Sequence, residues 1–442
     1  MSDVRYYDIR CVRGEVTRID IDNGVVESAA TSFFDRTVVR ALASNGWGIL
    51  TRDHVDLDSK HEIDTLVREA ARLAAVTKDR LDLADAPRGA LPIPPLGEDP
   101  REIDLEEKTR LLAEIEGAAR LPGVTNTRAN YTEGIDSVRF LDSEGNEYSY
   151  QSVRSGFSVV AIASRNGVMQ MGSEREHTIR GFNLRGRHDL GRRAGEVAVS
   201  LLDAKIPKGG IQRAVLDPEL AGVFTHEAVG HASEGDLVRE GASVLGGRIG
   251  EHIGCDGLVI VDDPALHEFG FMPVDAEGVA VQRTEIIRDG ILASYLHNRE
   301  TLAAVGDGMP GHARAEHGAP PIVRMSNTFI ENGDATREEI LAECREGILL
   351  IGSRGGQVDP GRGVFQFNAE YGYLIEGGET TGMLRDVSLS GEILRTLHNI
   401  TLIGDDRRMN PGYCGKGGQV VPVSDGAPHL LLEDATIGGR GE

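Results

Sequence analysis

The sequence predicts an α+β fold: an α/β N-terminal region of antiparallel strands and helices, followed by a β-rich C-terminal domain. Three observations carry this prediction. Asn-Gly and Asp-Gly dipeptides separate runs of alternating polarity, the pattern of tight hairpins whose turn residues need positive φ. Three stretches, near residues 59–74, 105–119 and 189–202, place apolar side chains at helical spacing. Beyond about residue 210 strand-like runs and glycine-rich turns dominate, broken by two helical segments of note.

In chain order, EVTRIDIDNGVVESAATSFFD sets Asn23-Gly24 between two period-2 runs, and Asn45-Gly46 does the same in VVRALASNGWGIL. A helix follows, with Ser59 and Glu62 as a capping box and Ile63, Leu66, Val67, Ala70, Leu73 and Ala74 on one face. Residues 86–100, APRGALPIPPLGEDP, hold five prolines and read as an extended linker. The expected division is 1–85, a linker at 86–100, a middle α+β region at 101–208, and a β-rich domain at 209–442. Within the middle region, strands turn at SEGN (143–146) and Asn166-Gly167. Within the last, Asp289-Gly290 and Glu376-Gly377-Gly378 mark hairpins, and Thr336 with Glu339 caps a helix.

The 442 residues suffice for two or three domains. Seventy acidic against 47 basic residues give a net charge of −23, which repels phosphate backbones and argues against nucleic-acid binding. No apolar run is long enough to span a membrane, and no signal peptide is recognisable, so a cytoplasmic location is expected. Cys11, Cys255, Cys344 and Cys414 are widely spaced and do not form a disulfide framework.

The stretch THEAVGHASEGD (225–236) resembles a zinc-protease helix with one residue too many. A helical residue advances about 100°, so positions i and i+4 lie about 40° apart and can share an ion, whereas i and i+5 lie about 140° apart. A one-residue π-bulge repairs this. Gly230 would make the distortion cheap. His226 and His231 then face one side, and Glu227 stands beside the ion rather than on it. There it can take a proton from a water whose pKa the metal lowers to about 7. His61-Glu62 and His267-Glu268 show that His-Glu pairs also occur here without a second histidine.

A catalytic zinc site needs a third protein ligand. Two candidates exist. Cys414 lies in the glycine-rich MNPGYCGKGGQ, where Lys416 would favour a thiolate. Alternatively, Glu338, Glu339 or Glu343 in REEILAECREG could serve, as in dipeptidyl peptidase III enzymes. These share H-E-x-x-x-H but carry an E-E-x-R-A-E helix, whereas EEILAE here has Leu341 in the arginine position. Glu234 and Asp236 fit partners that orient a ligating imidazole.

HEAVGHASEGD together with YCGKGGQ resembles the TldD/PmbA family of metallopeptidases, also labelled modulators of DNA gyrase. PIVRMSNTFIENGDATREEIL, RGGQVDPGRGVFQFNAEYGYLIEGG, LLLEDATIGGRGE and YYDIRCVRGEVTRIDIDNGVVESA extend the resemblance over nearly the whole chain. It implies zinc held by His226, His231 and Cys414, with Glu227 as general base. It also implies unfolded peptides as substrates and a dimer, with itself or with a TldE/PmbA-like subunit. A non-enzymatic zinc-containing binding subunit is the contrasting reading. Glu227 argues against it, because a closed structural site needs no carboxylate beside the ion.

Overall fold

A computed structural model describes residues 4–43, 46–77 and 81–439. Strands β1 (Tyr6–Asp22), β2 (Val25–Ala43), β3 (Gly46–Arg52), β4 (Val124–Asp142), β5 (Glu147–Arg165) and β6 (Val168–Thr178) form one antiparallel sheet in the order β3-β2-β1-β4-β5-β6. Its turns follow the sequence signals. Asn23 and Gly24 take φ of 48° and 78°, and Asn166 and Gly167 take 52° and 80°. The Asn45-Gly46 turn lies partly outside the described residues. Because β1 pairs with β4 over most of its length, the sheet draws on both sides of the proline-rich run. That run has no helix or strand through residue 96 and is tied to the C-terminal half: Leu91 N–H donates to Pro273 O and Ala280 N–H to Pro87 O.

Helices α1 (Lys60–Ala74), α2 (Leu105–Ala118) and α3 (His188–Ser200) cover one face of this sheet. Ser59 caps α1, accepting from Glu62 N–H. Alternate strand residues bury against the helices: Ile9, Cys11 and Val39 against Leu66 and Ala70, and Ile19, Tyr131 and Phe157 against Leu112, Ile115 and Ala194. The helices lie close because glycine permits it. A Cβ on Gly48 would stand 1.8 Å from Ala70 O, and one on Gly172 would stand 2.2 Å from Ala194 O.

The C-terminal half packs two larger sheets around one core. One is six-stranded and ends in the hairpin Arg408–Lys416 with Gln419–Ala427. The other is nine-stranded and contains β7 (Gly210–Leu216). Asp289-Gly290 and Gly377-Gly378 make the hairpins that the sequence indicates. Between the sheets runs α4 (Pro218–Phe224), capped by Asp217, whose carboxylate accepts from Leu220 N–H. Among the described residues, no helix is long and apolar enough to cross a membrane.

Candidate metal centre

Helix α4 continues without a break into a π-turn, Thr225–Gly230, where His231 N–H bonds to His226 O, five residues back. This is the bulge that the i,i+5 spacing demands. It turns both imidazoles to one side, with ring centroids 5.3 Å apart. Gly230 acts differently from expectation. Its φ of −56° and ψ of −58° suit any residue. Its lack of a side chain matters instead, since a Cβ would lie 1.9 Å from Met325 Sδ. Close packing, not backbone freedom, selects glycine here.

Of the two candidates for third donor, the structure brings in Cys414. One donor atom from each of His226, His231 and Cys414 lies within 4.8 Å of the others, and Cys414 Sγ is 3.4 Å from His231 Nε2. All three are buried, at 4%, 9% and 6% exposure. The glutamates of the Arg337–Cys344 helix are elsewhere, which removes the dipeptidyl peptidase III-like arrangement. Glu339 accepts from Thr336 N–H and Oγ in its own capping box, while Glu338 is exposed beside Arg337.

The surroundings set the protonation of this cluster. Burial raises the pKa of the Cys414 thiol, but hydrogen bonds from His226 and His231 overcome it and bring it down to about 4. Lys416 is not the cause. Its ammonium turns to Asp236 Oδ1 and Oδ2, both at 2.7 Å, to Glu234 Oε2 at 3.0 Å and to Val323 O. Glu234 Oε2 lies 2.9 Å from His231 Nδ1, as expected of an orienting carboxylate. Asp236 does not touch a histidine; it acts one step out, by fixing Lys416. Glu227 is half-buried, with Oε2 3.8 Å from His231 Nε2.

Two imidazoles and a low-pKa thiol suit a borderline-soft divalent ion such as zinc. His226 Nδ1 is buried with no hydrogen-bond partner, which is consistent with a donor set built for a ligand. Residues 324 and 325 escaped the sequence reading. Arg324 is fully buried and donates from Nη2 to Cys414 O at 2.5 Å and from Nη1 to Gln419 O at 3.3 Å, holding the cysteine hairpin in place. The available signal was a charge inside the apolar run PIVRM.

Family models match most of the chain. Residues 7–74 match PmbA/TldA metallopeptidase domain 1, residues 98–202 the central domain and residues 209–439 the C-terminal domain. A metalloprotease of Archaeoglobus fulgidus is 39% identical over 437 residues, covering 99% of this chain and 100% of that one. A zinc metalloprotease TldD homolog of Saccharolobus solfataricus is 28% identical, covering 99% and 96%. Among solved structures, a modulator of DNA gyrase from Thermotoga maritima superposes with a TM-score of 0.80 at 20% identity, over 98% and 96% of the two chains. TldE of Thermococcus kodakarensis gives 0.77 at 17%, over 99% and 97%. The class is that of the metallopeptidases. The chain belongs to the PmbA/TldD family.

Proposed function

We propose that this chain is a zinc-dependent peptidase that cleaves unfolded peptides or small proteins with little sequence preference. The convergence of His226, His231 and Cys414, with the half-buried Glu227 beside them, is the observation that carries the reading. The name of the Saccharolobus relative supports zinc. Zinc held by these three residues would supply a Lewis acid for the scissile carbonyl and would make water acidic near neutral pH. Glu227 Oε2 takes the proton of the attacking water and returns it to the leaving amine. Glu234 accepts the Nδ1 proton of His231, so that Nε2 faces the other donors. Lys416 holds Glu234 in place.

The strand Arg408–Lys416 ends its sheet. Its outer edge offers backbone groups to an extended peptide, a mode that supports low sequence specificity. The reading includes a dimer, of this chain with itself or with a TldE/PmbA-like subunit, which light scattering alone and in mixtures tests. The experiment on the site is metal content per chain in wild type and Cys414→Ala. The expected result is stoichiometric zinc in wild type and little in the variant. Full zinc in Cys414→Ala would overturn the donor set.

A further inference from the structure

The helix-free face of the N-terminal sheet turns toward the C-terminal half, and the two do not close on each other. A cavity of about 580 Å³ remains between them. Its floor is β1, β4 and β5. Its roof includes the loops around Phe271 and Arg314 and the hairpin that carries Cys414. Tyr413 and Val421 line it; one precedes Cys414 and the other pairs with it across the hairpin. The cavity therefore meets the hairpin that carries Cys414, although none of His226, Glu227, His231 and Cys414 lines it.

Four arginines line this space: Arg10, Arg18, Arg154 and Arg314. None has an ion-pair partner among the described residues. Arg154 donates only to neutral groups: Phe269 O at 3.2 Å, Phe271 O at 2.7 Å and Ser152 Oγ. Arg314, itself 5% exposed, donates to Met325 O. Arg10 Nη1 is buried with no partner at all. Burial, with repulsion from Arg154 and Arg324, pushes the Arg314 pKa down to about 9. Two carboxylates share the lining, neither within ion-pair distance of these arginines, and Asp136 Oδ1 is itself buried without a hydrogen-bond partner. Glu316 accepts from Val420 N–H, and Asp136 Oδ2 lies 3.0 Å from His317 Nε2.

In a chain with a net charge of −23, a cavity lined by four arginines against two carboxylates is a local device rather than a surface trend. Its volume falls in the range of ligand pockets. Guanidinium groups match carboxylates in a two-bond geometry. The strand floor also keeps the space open. Gly134 sits mid-strand opposite Val16 and Arg154, and a Cβ there would meet nothing within 4 Å.

We propose that this cavity binds a carboxylate of the peptide substrate, either a free C-terminus or an Asp or Glu side chain near the cleaved bond. The proposal rests on the peptidase reading above for its substrate, but its test does not require cleavage. Three otherwise uncharged, dye-labelled peptides are titrated against Glu227→Gln protein by fluorescence anisotropy: a free acid, the C-terminal amide, and the amide with one internal Glu. At least one acidic peptide is expected to bind about tenfold or more tighter than the neutral amide. Which one does so identifies the source of the carboxylate. Arg10→Gln, and separately Gly134→Leu, which grows a side chain into the cavity, are expected to abolish the difference. Equal binding of all three peptides, or a preference that survives in the folded variants, overturns the proposal. A preference without cleavage by the wild-type enzyme would sink the peptidase reading and leave the cavity's role standing. Cleavage without preference would do the reverse.

Discussion

Two clusters of buried charge sit in this molecule, and they differ in how completely their polar atoms are partnered. In the first, Arg40 Nε donates to Asp8 Oδ1 at 2.9 Å, and its Nη2 reaches both Asp8 Oδ2 and Glu277 Oε1. Glu277 Oε2 accepts from Arg299 N–H, and the guanidinium stacks 4.5 Å from the Trp47 ring. This network ties the N-terminal sheet to the C-terminal half. In the second cluster, His226 Nδ1 has no partner and Glu227 is left partly open. A saturated cluster fixes architecture. A cluster whose donors converge without saturating each other leaves room for a ligand.

The contrast is broken or upheld most strongly by two substitutions. Glu227→Gln removes a base while keeping shape, so peptide cleavage is expected to fall about 10²–10⁴-fold. Its zinc content and melting temperature should match wild type. Near-normal turnover of an unstructured peptide would end the general-base assignment. Arg40→Met should do the opposite. It strands two buried carboxylates, and breaking such a network costs about 3–5 kcal/mol. Denaturant unfolding should register that loss, while the folded fraction keeps its specific activity. An unchanged midpoint would mean that the saturated cluster is not a stabilising tie.

These two clusters also show what the sequence can disclose. The bulge at Thr225–Gly230 was legible because i,i+5 geometry is a local constraint that a helix must answer. Cys414 lies 183 residues from His231, and what sets it ahead of Glu339 in the sequence is the resemblance carried by YCGKGGQ and the leucine at 341, not any spacing to the histidines. An acidic helix face reads the same whether it ligates or caps, and Glu339 caps. Likewise, nothing inside the proline-rich run tells how the segments on its two sides pair. The pairing of β1 with β4 across it depends on strands more than a hundred residues apart. Arg40, Asp8 and Glu277 drew no notice, since a buried ion network has no spacing rule. Arg324 differs: it donates to backbone carbonyls, and its one signal is a charge inside the apolar run PIVRM.

Smaller effects sharpen the comparison within the metal centre. Glu234→Gln weakens the acceptor that orients His231 and should cost about 10–100-fold in zinc affinity, measured by chelator competition. An unchanged affinity would make Glu234 part of the scaffold only. The pH dependence follows from the histidines. Burial lowers their pKa values, but for His226 the hydrogen bond and charge of Cys414 together with the charge of Glu227 outweigh it, and for His231 the adjacent Glu234 and Cys414 do; both end raised. Raised values mean that the metal-free centre carries protons that zinc must displace. Affinity should therefore weaken as pH falls, by about tenfold per unit for each proton released. A flat profile between about pH 6 and 8 would show that zinc displaces no protons from the histidines in that range.

The smallest expected effect comes from the carboxylate that opens the same helix. Asp217 is one helix away from His226, yet its carboxylate is partnered in the manner of the Arg40 network rather than left open. Its Oδ1 accepts from Leu220 N–H at 2.9 Å and from Gly352 N–H at 3.1 Å. Asp217→Ala should lose about 0.5–2 kcal/mol of stability, the worth of a helix N-cap. Asp217→Asn keeps the acceptor and should lose less. Zinc content should hold in both, because the π-turn is fixed by its own backbone bond and by the packing of Met325 against Gly230 rather than by the cap. If Asp217→Ala sheds zinc while remaining folded, the cap and the bulge act as one unit, and the line between saturated and open clusters must be drawn inside α4 instead of after it.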